Sequence, residues 1–446
     1  MYVLLLIYFI FIFYLTIRGY DREKSDASYF FSSYKTTTTQ SYISIFATET
    51  SVATILIFPA VGFEKNFNII FLCIGYIIGR IIIAFFYIKH YHKISTLSLY
   101  EYISTKNSKK YISFAYLLAK YISGSVRFYL AGYGLSQLTG ISIELWLTGI
   151  LILIAIYSLT GGLNSVILTD QIQGLIILLS VFFFVLFLGN HNSLLLKNLN
   201  INISFDIHKS LYLLVGGILL TISSHGGDQD ILQRIFSVEK LKDAQKSLII
   251  SGFLASIVIL LFVIVGYLLL NNKNLNPKSP LLDYIYKLDN SFISLIIKNL
   301  FIVVLVAAAM STLDSSIHST GAIWKSILID FNKNFINYFY SLISLILMYL
   351  FSICFVFIET QKDFLSFALG FMNYVNGTLF ATITLFVLYR KKLNTPVIFV
   401  TLLSNITITI ICEYFSLYFA LTTIISFFIA FLCGWFIMQY YEKNYN

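Results

Sequence analysis

Apolar residues run along this chain in long blocks separated by short polar interruptions. Blocks of about 18 to 25 residues are long enough to cross the hydrocarbon core of a bilayer as helices. The pattern predicts about thirteen spans, at 2–17, 41–62, 67–88, 111–138, 143–160, 165–188, 210–228, 247–270, 295–320, 335–357, 364–389, 395–412 and 416–440. Two of them are not simple. Span 41–62 carries F46-A-T-E-T-S-V-A-T54, a run of hydroxyls around Glu49. A central acid costs about 2.5–3.5 kcal/mol on insertion scales. Irregular backbone at that depth is tolerated only against protein or a cavity. The expectation is an unwound break over residues 47–54 facing a polar centre; the alternative is a continuous helix with Glu49 paired to a neighbour. Span 210–228 ends in S223-S-H-G-G-D-Q-D-I-L-Q-R234. There Gly226 and Gly227 predict a second break before Asp228, then an amphipathic stretch, then a basic inside helix K240-L-K-D-A-Q-K246.

Counting 41–62 as the first core helix, the breaks fall in the first and sixth. Matching breaks in two five-helix halves point to an inverted-repeat transporter. The expected fold is therefore an all-α polytopic membrane protein. Residues 1–40 form an N-terminal extra helix and inside linker, 41–190 the first repeat, 191–392 the second, and 393–446 two peripheral C-terminal helices.

Composition agrees. Hydrophobic residues make up 58% and charged residues 11%, with a mean hydropathy of +0.83, where a soluble domain carries about 25% charge. The net charge of +9 calls for no nucleic acid, because 19 of the 30 Lys and Arg fall in alternate inter-span segments. That asymmetry puts the N-terminus outside and the C-terminus inside. The first span lacks a basic leader and a small-residue cleavage site and reads as a retained helix. Cys73, Cys354, Cys412 and Cys433 lie in or at the ends of apolar spans without a pairing pattern and read as packing residues. No Walker loop, zinc motif or soluble domain stands out, which argues against an ATP-driven pump or a membrane hydrolase as a self-contained unit; no covalent chemistry, and so no enzyme, is expected.

The richest stretch for chemistry is V306-A-A-A-M-S-T-L-D-S-S-I-H-S319. On a helix, Ala308, Ser311 and Thr312 share one face. Their two hydroxyls, with carbonyls from a broken partner helix, could hold a dehydrated hard cation. Simple back-bonding of the hydroxyls is the alternative, and the paired breaks weigh against it. Arg127 sits mid-span among Gly124, Ser125, Gly132 and Gly134 and needs an anion, either Glu49 or a substrate carboxylate. Arg80 and Lys120, nearer the inside, are expected to snorkel. Asp170 lies one turn into its span, as a cation attractor or an interfacial cap. M372-N-Y-V-N-G377 reads as a polar hinge and S98-L-Y-E-Y-I103 as an interfacial helix; His225, beside a break, could titrate, while a lone histidine such as it or His318 is more often a packing residue.

Four stretches, A47-T-E-T-S51, G161-G-L-N-S-V-I-L-T-D-Q-I-Q173, D228-Q-D-I-L-Q-R234 and A307-A-A-M-S-T-L-D-S315, in this order and spacing, resemble the sodium:solute symporter family. The resemblance implies a LeuT-like core of two inverted repeats and sodium-driven uptake by alternating access. It places sodium on the carbonyls of Ala47, Thr50 and Ala308 and the hydroxyls of Ser311 and Thr312. Asp170 matches an acid near the inner vestibule. Members with a second sodium site have serine at the Ala308 position, so a single sodium per cycle is expected. Substrate contacts fall by position on Glu49, Ser51, Thr54, Cys73, Arg127, Asp228 and Asn376. Neutral-sugar carriers have asparagine where this chain has Glu49.

The expected function is sodium-coupled import of a small, carboxylate-bearing solute, with Na⁺ and the solute as ligands and the lipid bilayer as surroundings. The alternatives are proton coupling through Glu49, Asp170 or Asp228, and sodium-coupled carriage of a neutral sugar or amino acid. A membrane sensor is a further class. Sensor relatives attach a soluble module, whereas this chain ends at Asn446.

Overall fold

The computed structural model describes residues 3–19, 25–32, 35–92, 94, 96–191, 206–272, 274–329, 336–357 and 364–445. Among these the regular structure is helical, apart from one isolated bridge between Ser104 and Leu393. In chain order the helices are α1 (Val3–Gly19), α2 (Asp26–Phe31), α3 (Thr38–Glu49), α4 (Val52–Phe63) and α5 (Ile69–Ile82), the last continued by a π turn over Ile83–Tyr87. Then come α6 (Leu99–Ile103), α7 (Lys109–Thr139), α8 (Ile143–His191), α9 (Ile207–Gly227), α10 (Gln229–Phe236) and α11 (Leu241–Leu268). The chain closes with α12 (Pro280–Lys287), α13 (Phe292–Leu328), α14 (Asn337–Phe357), α15 (Phe364–Tyr389), α16 (Thr395–Tyr414) and α17 (Phe419–Tyr445).

A helix lies at every expected span, but the count of thirteen is not established. Among the described residues 8 helices are long and apolar enough to cross a membrane, or up to 10 if each bent pair is one span. Two expected spans, 143–160 and 165–188, are joined in α8, which turns sharply at Gly162 (φ 64, ψ −171). A left-handed φ suits glycine, and a Cβ there would meet Tyr29 at 3.2 Å.

Both interruptions are narrower than the sequence suggested. α3 and α4 meet at 65°, yet only Thr50 and Ser51 leave helical geometry. Ala47 to Glu49 finish one helix and Val52 to Thr54 start the next. The Thr50 N–H still donates to Phe46 O (3.1 Å), so the first helix keeps its ladder to the edge of the break. In the second case α9 runs straight through the glycine pair, and Asp228 alone interrupts (φ −70, ψ 118). Its carboxylate accepts from Asp230 N (3.0 Å), which makes it the N-cap that starts α10.

Three local readings are corrected by packing. α10 is not amphipathic toward solvent, since all 8 of its residues are buried. The basic 240–246 stretch is the opening of α11, not a separate helix. α6 is not interfacial: Leu99, Tyr100 and Ile103 are buried, and the Tyr100 hydroxyl donates to Gly227 O (2.7 Å). Meanwhile the Leu99 N–H donates to Gln229 Oε1 (3.1 Å). The short helix therefore plugs the chain beneath the second break.

α13 is the axis of the bundle. It packs against α7, α8, α14 and α3, and every side chain from Phe301 to Ile323 is buried. Opposite it, α4 and α11 cross through glycines. A Cβ on Gly62 would lie 1.9 Å from Val263 O, and one on Gly266 would lie 1.8 Å from Pro59 O. Both obstacles are backbone, which cannot swing aside. Gly266→Ala is expected to lower stability by about 1–3 kcal/mol or more, read as a drop in the thermal midpoint in detergent. An unchanged midpoint would mean that the helices can slide apart without loss.

Candidate ion and solute site

Four residues at the end of a helix have carbonyls without intrahelical partners. At the end of α3, Phe46 O accepts from Thr50 N and Glu49 O from Ser51 N (3.0 Å). The Ala47 and Thr48 carbonyls instead face α13. Ser311 Oγ lies 3.0 Å from Ala47 O and 3.3 Å from Ala308 O. Thr312 Oγ1 lies 3.1 Å from Thr48 O and 3.0 Å from Ala308 O. Five uncharged oxygens thus converge at the negative end of a helix dipole, which favours a cation. Four of the five expected residues, Ala47, Ala308, Ser311 and Thr312, are brought together. The carbonyl beside Thr312 is that of Thr48, a residue the motif comparison passed over, while Thr50 occupies the break and lines the adjoining cavity. The signal for Thr48 was its place in the last turn before a break.

Below these oxygens lies a buried network. Arg234 Nη2 donates to Asp170 Oδ2 (2.7 Å), both side chains being fully buried. Ser44 donates to the same carboxylate oxygen, and Arg234 Nε donates to Ser44 Oγ (2.6 Å). Arg234 also reaches Ser315, whose hydroxyl donates to Ser311 O (2.6 Å) and lies 3.0 Å from Thr48 Oγ1. Asp170 is therefore an interior ion-pair member tied to the oxygen cluster, not an interfacial cap.

On the other side of the α3–α4 break is a cavity of about 290 Å³. Glu49, Thr50, Ser51 and Thr54 line it from the break, with Arg127, Asp228 and Asn376 from α7, the α9–α10 junction and α15. Cys73 does not face it: the residue is buried in α5, its carbonyl accepting from Ser256 (3.4 Å). Glu49 pairs with Arg80 and with His225 Nε2 (2.6 Å), so the Glu49–Arg127 pairing does not form. Arg80 does not snorkel. It is only 1% exposed, donates to Ser251 Oγ (2.7 Å), and passes so close to Gly252 that a Cβ there would lie 2.5 Å from Arg80 Cδ. His225, read as a packing residue, faces the cavity through this pair, whereas His318 does pack, its Nε2 lying 3.0 Å from Ser158 Oγ.

Lys120 does not snorkel either. Buried on α7, it lies 2.7 Å from Asp228 Oδ2 and 2.5 Å from Asp230 Oδ2, and the Tyr116 hydroxyl donates to Asp228 Oδ1 (2.6 Å). This clamp floors the cavity. Asn376 contributes its carbonyl to Ser223 Oγ (2.9 Å). The last helix is not peripheral: Tyr418, Phe419 and Thr423 line the cavity, and Thr423 donates to Asn373 Oδ1 (2.9 Å). Glu49, Asp228 and Asp230 thus each face a basic partner. Arg127, partly buried on the wall, forms no ion pair or hydrogen bond among the described residues. No group of three His, Cys, Asp or Glu among the described residues could hold a transition metal.

A bundle of apolar helices, two of them interrupted beside a cavity that mixes apolar with charged and hydroxyl side chains, is a helical membrane transporter fold. A model of the sodium:solute symporter family matches residues 29–404. The chain belongs to the sodium:solute symporter family. It is similar to the sodium/sialic acid symporter SiaT of Proteus mirabilis, 24% identical over 332 residues, which are 68% of this chain and 66% of that protein. The human sodium/iodide cotransporter is 24% identical over 231 residues, 47% of this chain and 35% of that one. The chain thus matches just under two thirds, or less, of the length of these relatives. In fold it is similar to the substrate-bound outward-open state of a Na⁺-coupled sialic acid symporter, with a TM-score of 0.83 at 20% identity, covering 97% of this chain and 96% of that one.

Proposed function

We propose that the chain imports a small carboxylate-bearing solute, driven by one sodium ion per cycle through alternating access. The observation that carries this reading is the convergence of Ala47 O, Thr48 O and Ala308 O on the Ser311 and Thr312 hydroxyls, next to a cavity whose Arg127 has no ion pair among the described residues. A hard cation is satisfied by five or six oxygens, and here it would replace the hydrogen bonds those hydroxyls now donate. A bound ion stitches α3 to α13. It thereby holds one side of the cavity and favours the state that also binds solute.

Solute sits between the break and Arg127, whose guanidinium fork suits a carboxylate. Asp170, Glu49 and Asp228 each lie against Arg234, Arg80 or Lys120, so each is already engaged in an ion pair, which favours sodium over proton coupling. With the N-terminus outside, the cavity extends from Asp228 toward Asn66 and Phe419 at the outer ends of their helices, so the form described faces outward. The two repeats, 41–190 and 191–392, carry one interruption each, at residues 50–51 and 228.

The deciding experiment is a thermal-shift screen of carboxylates, neutral sugars and amino acids in sodium and in choline, since a ligand of the folded state raises its stability. A sodium-dependent carboxylate hit is expected; stabilisation by a neutral sugar alone would overturn the anion reading. Arg127→Gln is expected to weaken that hit by about 2–5 kcal/mol while leaving the sodium-induced stabilisation of the empty protein in place. Unchanged solute affinity would move the carboxylate partner elsewhere.

A further inference from the structure

At the basic end of the bundle, sharing no lining residue with the solute cavity, lies a second concavity of about 760 Å³. Lys89, His90 and His92 line it from the end of the π-continued α5, and Lys240 and Lys242 from the start of α11, with Glu239 as its acid. Among the described residues Lys89, Lys240 and Lys242 form no ion pair. The site is also the N-terminus of α11, a helix of 28 residues whose N-cap Lys240 supplies no side-chain cap. Its first backbone N–H groups and its dipole add to the positive field, offset in part by Asp243 in the first turn.

The surface immediately above is apolar and exposed. The π turn over Ile83–Tyr87 sets Phe85 and Phe86 outward, at 53% and 60% exposure, and Lys89 Nζ lies 5.8 Å from the Phe86 ring centre. α11, packed against this turn, presents Phe253 and Ile257 at 47% and 45% exposure. A cationic concavity whose Lys89 reaches the exposed Phe86 ring, with further exposed apolar side chains on two contacting spans, matches a molecule with an anionic head and acyl tails. A free phosphate would use the concavity and leave the apolar side chains uncovered. We infer that this corner is a binding site for an anionic phospholipid of the inner leaflet. Its headgroup phosphate lies among Lys89, Lys240, Lys242 and the α11 N-terminus, and its chains lie along Phe85, Phe86 and Phe253. Basic pockets between spans on the cytoplasmic side are where such headgroups bind.

The test uses the full chain in detergent. Native mass spectrometry and thermal unfolding are followed on adding phosphatidylglycerol, phosphatidylcholine or inorganic phosphate. Phosphatidylglycerol should be retained and should raise the midpoint, with neither phosphatidylcholine nor inorganic phosphate doing so. Lys240→Gln with Lys242→Gln should weaken retention about tenfold or more. The same charge change made at the other end of the bundle, Lys209→Gln with Lys278→Gln, should leave it unchanged. Should the paired variant fail to fold, Lys89→Gln and the wild-type lipid comparison carry the same decision. Equal retention of the two lipids, equal loss in both lysine pairs, or full stabilisation by inorganic phosphate would each overturn the lipid site.

Discussion

Replacing Ser311 and Thr312 together by alanine is expected to abolish sodium-stimulated uptake in proteoliposomes, leaving a folded, membrane-inserted protein. The two hydroxyls are two of the five oxygens at the junction, and the carbonyls of Ala47, Thr48 and Ala308 alone cannot fill the shell of a hard cation. Their loss removes only hydrogen bonds to carbonyls, at about 1 kcal/mol each, so the fold should survive. Each single variant should retain residual uptake with a strongly weakened sodium dependence. The measurement is solute flux against external sodium, with choline as replacement, at matched protein levels. Uptake in the double variant with an unaltered sodium curve would place the coupling ion elsewhere. The solute is to be taken from the thermal-shift screen, so this outcome bears on the ion site separately from the identity of the cargo.

The largest structural effect is expected at Arg234. Removing one partner of a buried ion pair leaves the other charge uncompensated, at about 3–5 kcal/mol. Arg234→Ala would strand Asp170 and withdraw the donors now given to Ser44 and to Asp230 O (2.8 Å). Arg234→Ala is therefore expected to unfold well below the wild-type midpoint. Combining it with Asp170→Asn should recover part of the loss, because the unpaired charge is then gone. A double variant no better than the single would show that the hydrogen bonds, and not the charge, carry the stability. The pair also borders the oxygen cluster through Ser315, so the rescued protein should bind sodium with altered affinity.

Much of the architecture was legible in the chain. Apolar blocks of membrane-crossing length have no other stable home, and backbone in lipid must satisfy its own hydrogen bonds, so helices at those positions followed directly. The two interruptions were legible because hydroxyls around Glu49, and a glycine pair before Asp228, are poor company for lipid. Their extent was not legible. Whether Ala47 stays helical depends on where the Thr50 N–H finds its acceptor, and whether Gly226 breaks a helix depends on what packs over it. The partners of the charged residues were the least legible. Arg80 and Lys120 lie at depths from which a long side chain could reach the interface, and a linear reading sends them there. In the fold, Arg80 is drawn across Gly252 to Glu49, and Lys120 to two aspartates.

What the sequence by itself determined is the membrane class, the helices and their approximate positions, the two broken elements and four of the five residues whose oxygens converge at the α3–α13 junction, since each rests on local composition or on a motif within one stretch. Tertiary structure alone decided which charge meets which. It left Arg127 without an ion pair among the described residues, put Thr48 in the place offered to Thr50, turned Cys73 away from the cavity and brought the last helix to it. Those outcomes depend on contacts between residues far apart in the chain, where burial makes pairing obligatory but periodicity carries no record of the partner.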